Sequence, residues 1–256
     1  MSGLSLDGLV AFKYTTPKLR LDDSSLDHKL LASKSFHLIC GPARCVELVS
    51  GVMRRRERLG ISDAARRPLF VWEPVPDLCQ VSELQACLEA CKHVDIVSPN
   101  HAELCGFFAE EPHDENGNIA SYAIEKCCKT LLAPNLGKTT HLKAVVVRAG
   151  KYGCVVATTN ATAWLPAYHQ QASRVIDATG GGNTFLGGFT ISLARAAAFG
   201  LEDIRKAVID GAVSASFAIE QVGMPNLTIH DDTTESWNGD SVQARVAELS
   251  QRTPDL

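Results

Sequence analysis

No apolar stretch in this 256-residue chain approaches the ~18–20 residues that a membrane span requires. The first residues, MSGLSLDGLVAF, lack the charged start and apolar core of a secretory leader. With neither feature present, a cytoplasmic protein is expected. No Cys-x-x-Cys occurs among the nine cysteines; Cys87 and Cys91 lie one helical turn apart, and Cys127 and Cys128 are adjacent. These spacings argue against a zinc site, and an odd count without a leader fits reduced thiols. Cys40, Cys105 and Cys154 have apolar neighbours, where a thiol behaves as a small hydrophobe. An excess of positive charge is lacking too. The formal charge is −4 and the isoelectric point about 6.1, which argues against a nucleic-acid-binding surface. The one basic run, Met53 to Arg58, contains Glu57 and reads as a solvated helix face. Neither an internal repeat nor a low-complexity segment is present.

What the chain does have is 45% hydrophobic residues, enough for one full core. Apolar runs at FHLIC (36–40), LFVWE (69–73), VDIVS (94–98), AVVVR (144–148) and CVVAT (154–158) predict strands. Helical patterns fall near 42–60, 82–92, 101–109 and 120–132, so strands alternate with helices. That order predicts an α/β fold with a mainly parallel sheet covered on both faces. The exception is AGKYG, which separates two runs closely enough for a hairpin. SRVI (173–176) predicts a further short strand. Two helices, 183–199 and 203–221, are expected after it, with Gly200 as a C-cap between them. SVQARVAELS predicts a last helix.

DATGGGNTFLGGF, Asp177 to Phe189, is the most informative segment. Gly180, Gly181 and Gly182 fall where an extended run meets a helix start. Backbone N–H groups there lack intrahelical partners and the helix dipole favours an anion. Glycine also lets a ligand oxygen approach the backbone closely. The segment reads either as a phosphate cradle or as a tight turn with close packing at Gly187 and Gly188.

The same segment resembles the second signature of the PfkB family of carbohydrate and nucleoside kinases, D-T-x-G-A-G-D before an apolar helix. Asp177, Thr179, Gly180, Gly182, Phe185, Gly187 and Gly188 match. Gly181 stands for the alanine, and Asn183 stands for the final aspartate. The resemblance implies a ribokinase-like three-layer sandwich, ATP and Mg2+ as cofactors, and a small hydroxyl-bearing acceptor. It gives the residue at 183 the role of base toward the acceptor hydroxyl. An amide can orient a hydroxyl but cannot take its proton, a loss typically worth about 10²–10⁴-fold in rate. Asn183 therefore implies a slow kinase or none, without loss of nucleotide binding.

Asn100 and Glu103 match the family's N-x-x-E element, which supports magnesium and the phosphates. Read from the residues alone they make a helix capping box, and both readings stand. VVVRAGKYGCVVAT resembles the family's strand–G-x-x-G–strand element beside the nucleotide through Gly150 and Gly153. Arg148 there replaces a residue that is often threonine, and either faces a phosphate or points to solvent. Ala212, Ser216 and Gly223 resemble the small-residue wall of the adenine pocket. CGPARC (40–45) and VWEPVPDLC (71–79) resemble a fungal branch of the family named for a maintenance-of-killer protein, which carries Glu73-Pro74 where sugar kinases have Asp-Pro.

The resemblance covers roughly residues 36–225. Family members carry more chain before this point, supplying a first strand, lid strands and a substrate-gripping glycine pair. The expected organisation is thus a lid-side remnant at 1–35, a nucleotide-binding α/β domain at 36–256, and a lid region largely absent. Lid-side surface left uncovered makes a homodimer an expectation as well. Two functions follow from the resemblance: an ATP-dependent kinase of weak activity, or a nucleotide-binding pseudokinase with a regulatory role.

Overall fold

A computed structural model describes residues 20–61, 67–133, 141–196, 200–231 and 233–255. Most of the expected lid-side remnant, and the last residues of the helix expected over 183–199, lie outside these. The chain opens with the short helix α1 (His28–Leu31), then β1 (Ser35–Cys40), α2 (Pro42–Arg58), β2 (Leu69–Pro74), α3 (Leu84–Cys91) and β3 (Ile96–Val97). Next come α4 (His101–Phe108), α5 (Ser121–Leu132), β4 (Ala144–Arg148), β5 (Cys154–Ala157) and β6 (Thr162–Leu165). The last elements are α6 (Gly181–Arg195), α7 (Leu201–Ala218), β7 (Leu227–Ile229), β8 (Glu235–Trp237) and α8 (Val242–Arg252).

Six strands form one sheet in the order β1-β2-β3-β4-β5-β6. β1 to β4 are parallel, each crossover carrying helix, while β5 and β6 are antiparallel additions. Side chains alternate across a strand, so neighbouring residues feed opposite cores. Phe70 and Trp72 of β2, with Val145 and Val147 of β4, pack against α2 to α5. Leu69, Val71, Ala144 and Val146 pack against α6 and α7. The result is a three-layer α/β/α sandwich with the central strands β2 to β5 buried on both faces, as near-continuous apolar runs require. A smaller cluster joins α7 to α8 through Val213, Phe217 and Leu249.

Eight of the nine cysteines are buried and all are free. Burial pushes the Cys154 thiol up to about 12, as befits a thiol acting as core filler. The helices lie within a few residues of their sequence-derived bounds.

Four details differ from expectation. SRVI is not a strand: Ala172–Arg174 form a 3-10 turn, and Val175 and Ile176 are 37% and 62% exposed. Its Ile176 N–H bonds to Ile219 O, in the loop after α7, at 2.8 Å, and no strand of the sheet lies beside it. The place beside β5 is taken by β6, whose short TAWL alternation went unread. Gly200 is an N-cap for α7, with extended backbone and Asp203 Oδ2 accepting from its N–H at 2.8 Å. Finally, the basic run of α2 is not wholly solvated. Arg56 is 6% exposed and donates to Ser33 O at 3.1 Å, and Arg55 donates to Leu26 O at 3.0 Å, tying down the segment before β1.

Candidate functional site

Alternation along two strands brings opposite charges to one spot. Glu73 continues the series Leu69, Val71 on the α6 face of β2, and Arg148 continues Ala144, Val146 on the same face of β4. Both stand at the carboxyl ends of parallel strands, where open α/β sheets place their ligands. Arg148 Nη2 lies 2.7 Å from Glu73 Oε1 and 3.6 Å from Glu103 Oε2, and donates to Ser98 O at 3.1 Å. His37, in register with Val71, sets Nε2 3.0 Å from Glu73 Oε2. A single guanidinium is thus clasped between two carboxylates. Arg148 therefore neither reaches into solvent nor stands free for a phosphate alone.

The clasp is nearly dry, with Glu73 and Glu103 each 8% exposed. Burial raises the Glu73 carboxyl, but the His37 hydrogen bond and the Arg148 charge outweigh it and leave it below its ordinary range. For Glu103 burial wins, and its carboxyl is raised despite the Asn100 N–H and Arg148. The difference is physical: Glu73 has the His37 hydrogen bond and the closer, 2.7 Å contact to the cation, whereas Glu103 has no such histidine and feels the Glu73 charge.

Asn100 and Glu103 make the full capping box at the start of α4. Glu103 N–H donates to Asn100 Oδ1 at 2.8 Å, and Glu103 accepts from Asn100 N–H and Nδ2, each at 2.7 Å. Both carboxylate oxygens are engaged, and a guanidinium stands beside them. A dication ligated directly to this pair would face a permanent positive charge within the same contact shell. The donor set therefore does not fit a directly ligated magnesium ion. Among the described residues no group of three or more His, Cys, Asp or Glu side chains is placed to hold a metal.

The glycine loop lies on the other side of Arg148. Asp177 Oδ1 accepts from Thr179 N–H at 2.9 Å, and Gly180 caps α6 at φ +81°, a left-handed conformation that suits glycine. Among the described residues the N–H groups of Gly182 and Asn183 meet no acceptor. A Cβ on Gly182 would strike Arg148 Nη1, and one on Gly181 would stand 2.8 Å from Ile219 Cγ2. The loop is thus pressed between a cation and the α7 side of the fold. Two free donors, a helix N-terminus and a guanidinium make an anion cradle.

A cleft of about 880 Å³ opens from this cradle. Of the sequence-derived candidates, Asn100, Arg148, Gly150, Gly153, Gly181, Gly182, Ala212 and Ser216 line it. Gly153 has a second reason to be glycine: at φ +85° its Cβ would collide with Leu165 O, where β6 passes. Ser216 is 1% exposed, donates to Val213 O at 2.7 Å and accepts from Arg245 at 2.9 Å, so its hydroxyl is committed to packing α8. Glu103, Asp177, Thr179, Gly180, Asn183 and Gly223 do not line the cleft. Asn183 and Gly223 are exposed, and Asn183 makes no side-chain hydrogen bond among the described residues. Residue-by-residue reading missed His37 and underused Glu73. An acid ending an otherwise apolar strand run was the available signal for Glu73.

Comparison with known proteins follows the same lines. The model of the pfkB family carbohydrate kinases matches residues 73–230, which takes in the carboxylate clasp, the hairpin, the glycine loop and α7. The chain belongs to the pfkB carbohydrate kinase family. It is 30% identical over 251 residues to Protein MAK32 of Saccharomyces cerevisiae, covering 91% of this chain and 62% of that one. It is 27% identical over 258 residues to an uncharacterized protein of Schizosaccharomyces pombe, covering 94% and 66%. The chain thus spans less than two thirds of the length of these relatives. Ribokinase from Giardia lamblia aligns with a TM-score of 0.57 at 18% identity, over 76% of this chain and 57% of that one. The pfkB chain described here therefore has the ribokinase-like fold, and its family is of kinase type.

Proposed function

We propose that this pfkB chain is an ATP-dependent phosphotransferase of slow turnover, acting on a hydroxyl of a small sugar-like acceptor in the cytoplasm. The observation that carries this is the pair of unpartnered N–H groups at Gly182 and Asn183 beside the Arg148 guanidinium. Gly180 to Gly182 receive the terminal phosphates, and Arg148 lowers their charge. Asn183 accepts a hydrogen bond from the acceptor hydroxyl and so orients it, leaving its proton to solvent or to the phosphate. Orientation and charge neutralisation make up most of phosphoryl-transfer catalysis, which is why a neutral residue at 183 slows the reaction without removing the fold's capacity for it.

A second reading is favoured by one observation: the Asn183 side chain is exposed and uncommitted. On that reading the chain is a nucleotide-binding pseudokinase with a regulatory role.

Calorimetric titration of ATP tests the shared premise, with one site per chain expected. A folded chain with no heat of binding overturns both readings. Phosphate release or transfer by Asn183→Asp then separates them. The slow-kinase reading expects a gain of about 10²-fold or more over the wild type. No turnover in either form supports the pseudokinase.

A further inference from the structure

We propose that Arg148 is a built-in cation that takes the place of a divalent ion in this chain, so that nucleotide polyphosphate binds without a metal. The inference rests on the nucleotide reading above and concerns how the phosphate charge is met. The geometry is that of an occupied cation site. The guanidinium lies 2.7 Å from Glu73, at the end of β2, and 3.6 Å from Glu103, in the first turn of α4. Its Nη2 is further held by Ser98 O at 3.1 Å. Its Nη1 edge lies against Gly182, whose N–H is free to meet an anion.

The clasp leaves one Arg148 donor unpaired. Its Nε–H is buried and meets no acceptor among the described residues. The clasp therefore offsets one of the two carboxylates and sets its Nη1 edge toward the loop where phosphate oxygens would arrive. Guanidinium is always charged and presents several donors in a fixed fork, which suits a phosphate better than a point charge would. Asn183 fits the same scheme. A neutral residue at the helix start adds no further negative charge for a dication to offset.

A purely structural clasp tying β2, β4 and α4 together predicts something different. It affects stability but leaves the metal dependence of binding untouched. The discriminating measurement is the dissociation constant of ATP by calorimetry, in excess EDTA and in excess magnesium, for the full chain. Inorganic tripolyphosphate serves as a second probe. The proposal expects the two wild-type constants for ATP to agree within about threefold. It expects folded Arg148→Gln to lose about tenfold or more in EDTA, with magnesium restoring part of the loss. Arg148→Lys, which keeps a cation at the clasp, should retain metal-free binding even if the Gln variant does not fold. Wild-type binding that needs magnesium overturns the proposal and leaves the nucleotide reading intact. So does unchanged metal-free affinity in folded Arg148→Gln. Absence of binding in both buffers overturns the nucleotide reading itself, and this inference with it.

Discussion

Glu73 and Glu103 are chemically alike and held by the same arginine, yet their carboxyl groups shift in opposite directions. The His37 hydrogen bond to Glu73 and its closer contact to Arg148 explain it, and they give a pH test. A carboxyl lowered below its ordinary value of 4.5 adds stability that is fully present above that value and is lost as pH falls through the folded-state value. Glu73→Gln removes that contribution and leaves the Arg148 charge less well paired. Urea unfolding near neutral pH is expected to show a loss of about 3 kcal/mol, the order seen when a buried pair is broken. The gap between wild type and variant should narrow as pH falls below the ordinary value of 4.5 and the wild-type carboxyl protonates. A gap that stays constant across that range would mean that Glu73 is not ionised in the clasp. The direction of Arg148 could not be read from its neighbours, because the carboxylates that hold it come from β2 and α4. Asn183 is the opposite case: its chemistry is local, and that an amide and not a carboxylate stands there was plain from the residue type.

At the scale of elements, the glycine loop is only as well placed as the helix behind it. α6 lies against α7 at close range because glycines remove side chains at the contact. A Cβ on Gly188 would meet Ser214, and a Cβ on Gly211 would stand 2.8 Å from Phe185 O and 3.1 Å from Phe189 Cβ. Backbone cannot yield as a side-chain end can. Gly211→Ala is therefore expected to destabilise by about 1–3 kcal/mol, seen as a lower urea midpoint with an unchanged slope. Weaker ATP binding should accompany it, since α6 must tilt to relieve the contact. An unchanged midpoint would show that the two helices are not in register as described. Periodicity located both helices to within a few residues, and the hairpin between β4 and β5 was legible from its turn. SRVI was misread because β propensity is satisfied only where a neighbouring strand is available. Here β6 already pairs with β5, and the segment closes instead as a 3-10 turn.

The whole molecule has one conspicuous margin. Among the described residues β1 pairs only with β2, and its SFHLIC sequence carries no charged residue or proline to discourage pairing on its outer side. Ile39 at its end is 54% exposed. Concentration-dependent self-association through this edge is expected, consistent with a homodimer. Sedimentation velocity should show it for the wild type and not for Ile39→Lys, which places a charge on the edge. A wild type that stays monomeric at every concentration would rule this association out. Away from that margin the sheet carries a core on each face. Both faces of the sheet are covered, by α2 to α5 on one side and α6 and α7 on the other.

The sequence by itself determined the class of fold, the alternation of strands and helices, the glycine loop and the neutral residue that follows it. These are local properties, set by periodicity, by the conformational freedom of glycine and by the chemistry of a single side chain. Tertiary structure alone decided the rest. It showed that Asn100 and Glu103 cap each other, that Ser216 serves α8, and that Arg148 stands between two carboxylates. Each depends on segments far apart in the chain meeting at one strand end, where burial removes water and leaves charged groups to satisfy one another.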